Sequence, residues 1–229
     1  MSALPVAILA GGRATRLGEH ASARPKALME VAGEPFLHHQ LRLLRDHGIE
    51  RVVLLIGHLG EQIVEAIGDG SEFGLEVSYS QDPPELAGTA GAIRAALPQL
   101  GDGFLVLYGD TYLRIDYQAV ADAFLASGKL GLLTVLRNRG QFDTSNTVVE
   151  DGRVVRHDKR NPTPDMEWID YGLGALRPEA FDLAPEATDL SDVYGRLAEE
   201  GQLDAFEATK RFYEIGTPEA LAETDEFLR

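Results

Sequence analysis

The chain has 229 residues, of which 44% are apolar and 25% charged, and its mean hydropathy is −0.13; this is the make-up of a folded chain with a substantial core, not of a disordered or membrane-spanning one. A formal charge of −16 argues against nucleic acid or an anionic membrane as the main partner. With no Cys there is no disulfide framework, and the default location is cytoplasmic.

Residues 1–229 read as a single domain, without repeat, linker or low-complexity tract, and the start lacks the basic region of a signal peptide. The apolar run 6–9 predicts a buried strand that ends in Gly11-Gly12. Residues 35–47 carry Phe36, Leu37, Leu41, Leu43 and Leu44 at helical spacing and stop at Gly48. A second buried strand is expected at 51–56, a short helix at 61–67 with Ile63, Val64 and Ile67 inward, and an alternating strand at 75–79. This alternation predicts an α/β fold, a mostly parallel sheet covered by helices on both faces. Pro83 and Pro84 enforce a loop, and Thr89 is placed to cap a helix running to 97. A buried strand at 104–108 closes on Gly109-Asp110, and Asp116 caps a helix to 126. A strand follows at 130–136, then a hairpin over 147–157 turning at Asp151-Gly152. Residues 161–165 form a loop. Strands are expected at 168–176, 203–207 and 212–215, with a helix at 190–200. Thr217-Pro218-Glu219 opens the last helix with a cap, a proline in the first turn and an acid near the positive end of the helix dipole.

Three places in this pattern suit chemistry on their own terms. A strand ending in two glycines is where an α/β sheet meets a ligand, and glycine lets backbone approach phosphate or base closely. Arg13, Arg16, Arg24 and Lys26 follow within one short loop and match the spread charge of a triphosphate. The pattern is neither G-x-x-x-x-G-K-[ST] nor G-x-G-x-x-G. Asp110 ends a buried strand, a natural place for a Mg²⁺ ligand, and Gly109 lets a bound group come close. Glu214 sits between apolar strand residues, where a carboxylate needs a partner. The six histidines show no metal-ligand spacing, and there is no Gly-x-Ser-x-Gly elbow.

Gly11-Gly12-Arg13-Ala14-Thr15-Arg16-Leu17 followed by Arg24-Pro25-Lys26 resembles the signature of sugar-1-phosphate nucleotidyltransferases, G-G-x-G-T-R-[LM] and then P-K. Ala14 departs from it, standing where the family usually has glycine. The resemblance extends from Val6 to the last helix and implies a Rossmann-like, GT-A-like fold with a mixed, mostly parallel sheet. It implies that Leu9, Ala10, Gly11, Gly12, Arg13 and Thr15 bind the nucleotide, and that Arg16, Lys26 and Asp110 are catalytic. Leu86-Ala87-Gly88-Thr89-Ala90-Gly91 resembles the family's L-G-T-A-G with one residue added, which makes Gly88 and Thr89 nucleotide-binding and Gln81 and Glu85 base-reading candidates. Asp158-Lys159-Arg160 resembles the segment whose lysine meets the sugar phosphate. Asp170-Tyr171-Gly172 resembles the sugar-binding strand, so Gly109, Lys159, Asp170 and Gly172 are sugar-phosphate candidates. Phe212-Tyr213-Glu214-Ile215-Gly216-Thr217-Pro218 resembles [FW]-x-D-[IV]-G-T-P, which makes Glu214 the second metal ligand beside Asp110, with Mg²⁺ as cofactor.

The implied reaction joins a sugar 1-phosphate to a nucleoside triphosphate and releases pyrophosphate. Among short single-domain members the likeness leans to D-glycero-D-manno-heptose-1-phosphate guanylyltransferases, with N-acetylmuramate-1-phosphate uridylyltransferases beside them. A cytidylyltransferase, another nucleotidyltransferase on a small phosphate, a GT-A-like glycosyltransferase and a non-catalytic nucleotide-binding module stay open. The glycosyltransferase reading lacks its second acid, since Tyr112 follows Asp110-Thr111. Pro25-Lys26 argues against a molybdenum-cofactor guanylyltransferase, which usually has Asp-Lys there. A homodimer also stays open, because an apolar helix face serves a core and an interface alike.

Overall fold

Apolar four- to six-residue runs form the centre of the sheet in the computed structural model, which describes residues 4–12, 24–82 and 88–229. In chain order the elements are β1 (Val6–Leu9), β2 (Glu30–Val31), β3 (Glu34–Pro35), α1 (Phe36–Asp46), β4 (Arg51–Ile56), α2 (Gly60–Ile67), β5 (Glu76–Gln81), α3 (Thr89–Leu100) and β6 (Phe104–Tyr108). They continue with β7 (Thr111–Tyr112), α4 (Tyr117–Ser127), β8 (Gly131–Arg137), β9 (Thr147–Glu150), β10 (Arg153–His157), β11 (Trp168–Leu176), α5 (Leu190–Glu199), β12 (Leu203–Ala208), β13 (Tyr213–Glu214) and α6 (Pro218–Leu228).

Nine strands make one sheet in the order β5-β4-β1-β6-β11-β8-β12-β10-β9. The first four are parallel, and β1 is paired on both sides: Val6 opposes Val52 and Leu105, and Leu9 opposes Leu55 and Tyr108. Past β6 the sheet becomes mixed, because β11 runs antiparallel to both β6 and β8 while β12 returns parallel to β8. Side chains of β1 alternate between the two faces. Val6 and Ile8 join a core with α1, α2 and α4, and Ala7 joins one with α3 and α5. The sheet is therefore covered on both sides, which explains why its central strands read as unbroken apolar runs.

Local signals set the ends of several elements. Asp116, Asp189 and Thr217 each accept a backbone N–H in the first turn of the helix that follows, at 3.0, 2.8 and 3.2 Å. Asp151 and Gly152 both have positive φ, +48° and +77°, as a tight two-residue hairpin turn requires. Three expectations need correction. Thr89 does not cap α3, whose cap position is Gly88; its hydroxyl instead accepts the Leu190 N–H at 2.7 Å and caps a neighbouring segment. That helix also runs through Pro98 to Leu100, since a proline in the last turn disturbs only the helix end. In α2, Ile63 and Ile67 face inward, whereas Val64 is 40% exposed because it falls about 100° around the helix from Ile63.

Candidate active site

The order of the parallel half places a crevice before any side chain is considered. The chain moves outward from β1 to β4 and β5, then returns to the other flank of β1 as β6, so the connections part above the carboxyl ends of β1 and β6. Ligands of open α/β sheets bind at such a point. Gly109 lets the two strand ends close together: its N–H donates to the Leu9 carbonyl at 3.1 Å, and an added methyl would stand 2.6 Å from that carbonyl oxygen. A cavity of about 300 Å³ lies here, lined by Leu9, Ala10, Gly11, Gly12, Lys26, Ala27, Leu55, Asp82, Gly88, Thr89, Ala92, Tyr108, Gly109 and Asp110.

Lys26 and Asp110 meet across one end of this cavity, Nζ to Oδ2, at 2.5 Å. Pro25 opens a 3-10 turn at Lys26–Leu28, and Ala27 and Leu28 are buried, so the core anchors the turn that presents Lys26. Asp110 accepts the Thr111 hydroxyl at its other oxygen, 3.1 Å away. The turn carrying Asp110 is pinned by Gln40, a buried residue whose amide donates to the carbonyls of Tyr108 (3.0 Å) and Thr111 (2.8 Å). Sequence reasoning passed over Gln40; the available signal was a polar residue on the apolar stripe of α1, between Leu37 and Leu41.

The start of α3 also lines the cavity, through Gly88, Thr89 and Ala92. Gly88 has φ +93°, and an added methyl would stand 2.2 Å from the Thr188 carbonyl, so only glycine fits. The Ala90 N–H donates to Thr188 at 3.0 Å, and the Arg94 guanidinium donates to the carbonyls of Ala184 and Ala187, which fixes the helix start against the segment before α5. The positive end of the helix dipole thus borders the cavity. Asp82, just past β5, lines it as well, whereas Gln81 ends the strand as an exposed residue outside the lining.

Lys159, Asp170 and Gly172 form a second group, joined to the first through Tyr108. The Lys159 ammonium lies 5.1 Å from the centre of the Tyr108 ring and pairs with Asp170 at 2.8 Å. Asp170 is 2% exposed and accepts the Gly172 N–H at 2.9 Å, so it holds Lys159 and the irregular turn of β11 in place. Burial pushes the Asp170 carboxyl up, but Lys159 and the neighbouring donors outweigh it and hold its pKa below the usual range. Burial works to lower Lys159, and Asp170 more than offsets it, so this pKa is raised. Behind the pair, His157 is buried between Thr147 (Nδ1, 2.9 Å) and Ser191 (Nε2, 3.0 Å). The Thr147 hydroxyl donates to Asn146, so it accepts from Nδ1–H, and Nε2 accepts from Ser191. Both nitrogens of the neutral ring are satisfied, and burial lowers its pKa to about 4.

Glu214 reaches the same neighbourhood through backbone pairing. In the β7–β13 ribbon it stands opposite Thr111, and the Ile215 N–H donates to the Asp110 carbonyl at 3.0 Å. Its carboxylate lies against Gly216, where an added methyl would stand 3.1 Å from Oε2, and Glu214 is not among the cavity's lining residues. Strand order and pairing therefore bring 110 and 214 together in the backbone. Arg13, Ala14, Thr15, Arg16 and Glu85 lie outside the described residues, so their expected roles rest on the resemblance alone.

The family model of the MobA-like NTP transferase domain matches residues 6–164. The N-acetylmuramate alpha-1-phosphate uridylyltransferase of Neisseria meningitidis serogroup B is 42% identical over 196 residues, covering 76% of this chain and 76% of that protein. The glucose-1-phosphate cytidylyltransferase of Salmonella typhi is 29% identical over 224 residues, covering 87% and 86%. Among solved structures, HddC from Yersinia pseudotuberculosis complexed with GMP-PN has the same fold, with a TM-score of 0.80 at 24% identity over 99% of this chain and 100% of that one.

Proposed function

The chain belongs to the MobA-like NTP transferase domain family, and we propose that it joins a sugar 1-phosphate to a nucleoside triphosphate, giving a nucleoside diphosphate sugar and pyrophosphate. The observation that carries this reading is the Lys26–Asp110 pair in the switch-point cavity, which the start of α3 also lines. An ionised phosphate oxygen of the sugar 1-phosphate attacks the α-phosphorus, the bond from that phosphorus to the bridging oxygen breaks, and pyrophosphate leaves with the electron pair. Sugar phosphate is already charged at neutral pH, so no protein base is required. Catalysis is then positioning and charge stabilisation. Lys26 holds charge developing on the transferred and leaving phosphates, Arg13 and Arg16 add to it, and Gly11, Gly12, Gly88 and Thr89 form the nucleotide's bed. Lys159, set by Asp170, anchors the incoming phosphate beside Gly109 and Gly172.

Mg²⁺ fits the donors present. Asp110 supplies one part-exposed carboxylate at the sheet edge, and Mg²⁺ commonly takes one or two carboxylates and completes its shell with phosphate oxygens and water. Asp110 would hold the ion with Glu214 beside it, and the ion would neutralise phosphate charge.

Relatedness at 42% identity favours uridylyl transfer to N-acetylmuramate 1-phosphate over the guanylyl transfer to a heptose 1-phosphate suggested by the motifs. Substrates of this kind support a cytoplasmic setting for the reaction. Purified protein with Mg²⁺ and each of four nucleoside triphosphates, against a panel including both sugars, tests this by pyrophosphate release. UTP with N-acetylmuramate 1-phosphate is expected to be fastest, and no pyrophosphate from any pair would overturn the reading.

A further inference from the structure

Two acids at or beside the cavity have cation partners: Asp110 holds Lys26, and Asp170 holds Lys159. Asp82 differs. It lines the cavity, its Oδ2 is packed where methyl groups on Gly11 and Gly57 would stand 2.6 and 2.8 Å away, and its Oδ1 is buried with no hydrogen-bond partner among the described residues. Burial pushes its pKa up. A buried acceptor left unmet carries a desolvation penalty that a ligand's donor relieves.

The position of Asp82 says which part of a ligand that donor belongs to. Asp110 follows β6 and Asp82 follows β5, and the order β5-β4-β1-β6 puts three strand spacings between the two strand ends, about 14 Å at about 4.8 Å each, while the Asp82 carboxylate leans back across the ends of β4 and β1 to Gly57 and Gly11, one strand short of β6. With phosphates on Lys26 and Asp110 at the β6 side of the cavity, the carboxylate at its β1–β4 side is left for the base. We propose that Asp82 selects the nucleobase, its carboxylate accepting the ring N–H of uracil or guanine and turning away cytosine and adenine. An ionised carboxylate only accepts. Uracil offers N3–H, and guanine offers N1–H with the adjacent amino group. Cytosine and adenine present a bare ring nitrogen at that edge, lone pair against lone pair. This deepens the proposed function and rests on its assumption that the cavity takes a nucleoside triphosphate.

The test compares wild type with Asp82→Asn and Asp82→Ala. It measures kcat/KM for UTP, GTP, CTP and ATP with one sugar 1-phosphate, and equilibrium binding of the same four nucleotides without it. Wild type is expected to prefer UTP or GTP over both CTP and ATP by at least about tenfold, the scale of one well-placed polar contact to a base. Asp82→Asn turns one acceptor into an N–H donor able to meet a bare ring nitrogen, and is expected to shrink the preference about tenfold. Asp82→Ala is expected to flatten it. A residue that only braced Gly11 and Gly57 would change overall rate and stability and leave the ratios alone. Unmoved ratios in both variants, or a wild type that takes CTP as well as UTP, overturn the assignment. Absent turnover with base-selective binding would instead count against the reaction and leave Asp82 in its role.

Discussion

Among the described residues Lys26 pairs with Asp110. Its ammonium rests on Asp110 and faces a cavity bordered by a helix start, so a phosphate entering there competes for the same charge. Lys26→Ala is expected to lower kcat by about two to three decades, the scale seen when one donor to a developing charge is removed. The pair is part-exposed, so the unfolding midpoint should hardly move. Near-normal turnover would remove Lys26 from the role. At this scale the sequence was readable where a residue type has few other uses: a lysine after proline, an aspartate after strand and glycine. Asp82 and Gln40 were not, because an unpaired acid and a buried amide are defined by neighbours that become adjacent only on folding.

Between elements, the decisive contact is backbone on backbone. β1 and β6 converge because residue 109 has no side chain, and an added methyl would press on the Leu9 carbonyl oxygen and stand 3.1 Å from the Ala10 Cα. Neither atom can swing aside as a flexible side chain would. Gly109→Ala is expected to cost about 1–3 kcal/mol, read as a lower urea midpoint, and to reduce turnover with it, since the displaced strand end carries Asp110. An unchanged midpoint would mean that the strand ends are looser than they stand here. Helix ends and the Asp151-Gly152 hairpin could be read from sequence because their causes are local. The β2–β3 turn could not: Ala32 takes a positive φ of +49° there, a place where sequence rules look for Asn, Asp or Gly, and its N–H is held by Asp225 from α6. Thr89 misled for a similar reason, as its hydroxyl serves Leu190, 101 positions away.

Across the whole molecule, the parallel half of the sheet was legible because buried strands and amphipathic helices alternate, while the mixed half depends on pairings such as β11 between β6 and β8 that no local pattern encodes. Folding around a buried neutral histidine also ties stability to pH. His157 titrates near 6.5 in the unfolded chain and at about 4 when folded, so between those values the unfolded state holds the extra proton. The histidine's contribution is fully present above about pH 6.5 and is lost as pH falls, amounting to about 2 kcal/mol between pH 7 and pH 5. Urea unfolding at both pH values should show that loss in wild type and a smaller one in His157→Gln; equal losses would exclude His157 as the cause.

The reaction itself is tested most directly by following oxygen. When a sugar 1-phosphate carrying ¹⁸O at all four phosphate oxygens is turned over with unlabelled nucleoside triphosphate, mass spectrometry is expected to find all four in the nucleoside diphosphate sugar and none in pyrophosphate. Label in pyrophosphate or in free phosphate would contradict attack by the sugar phosphate on the α-phosphorus, and with it the account of this site.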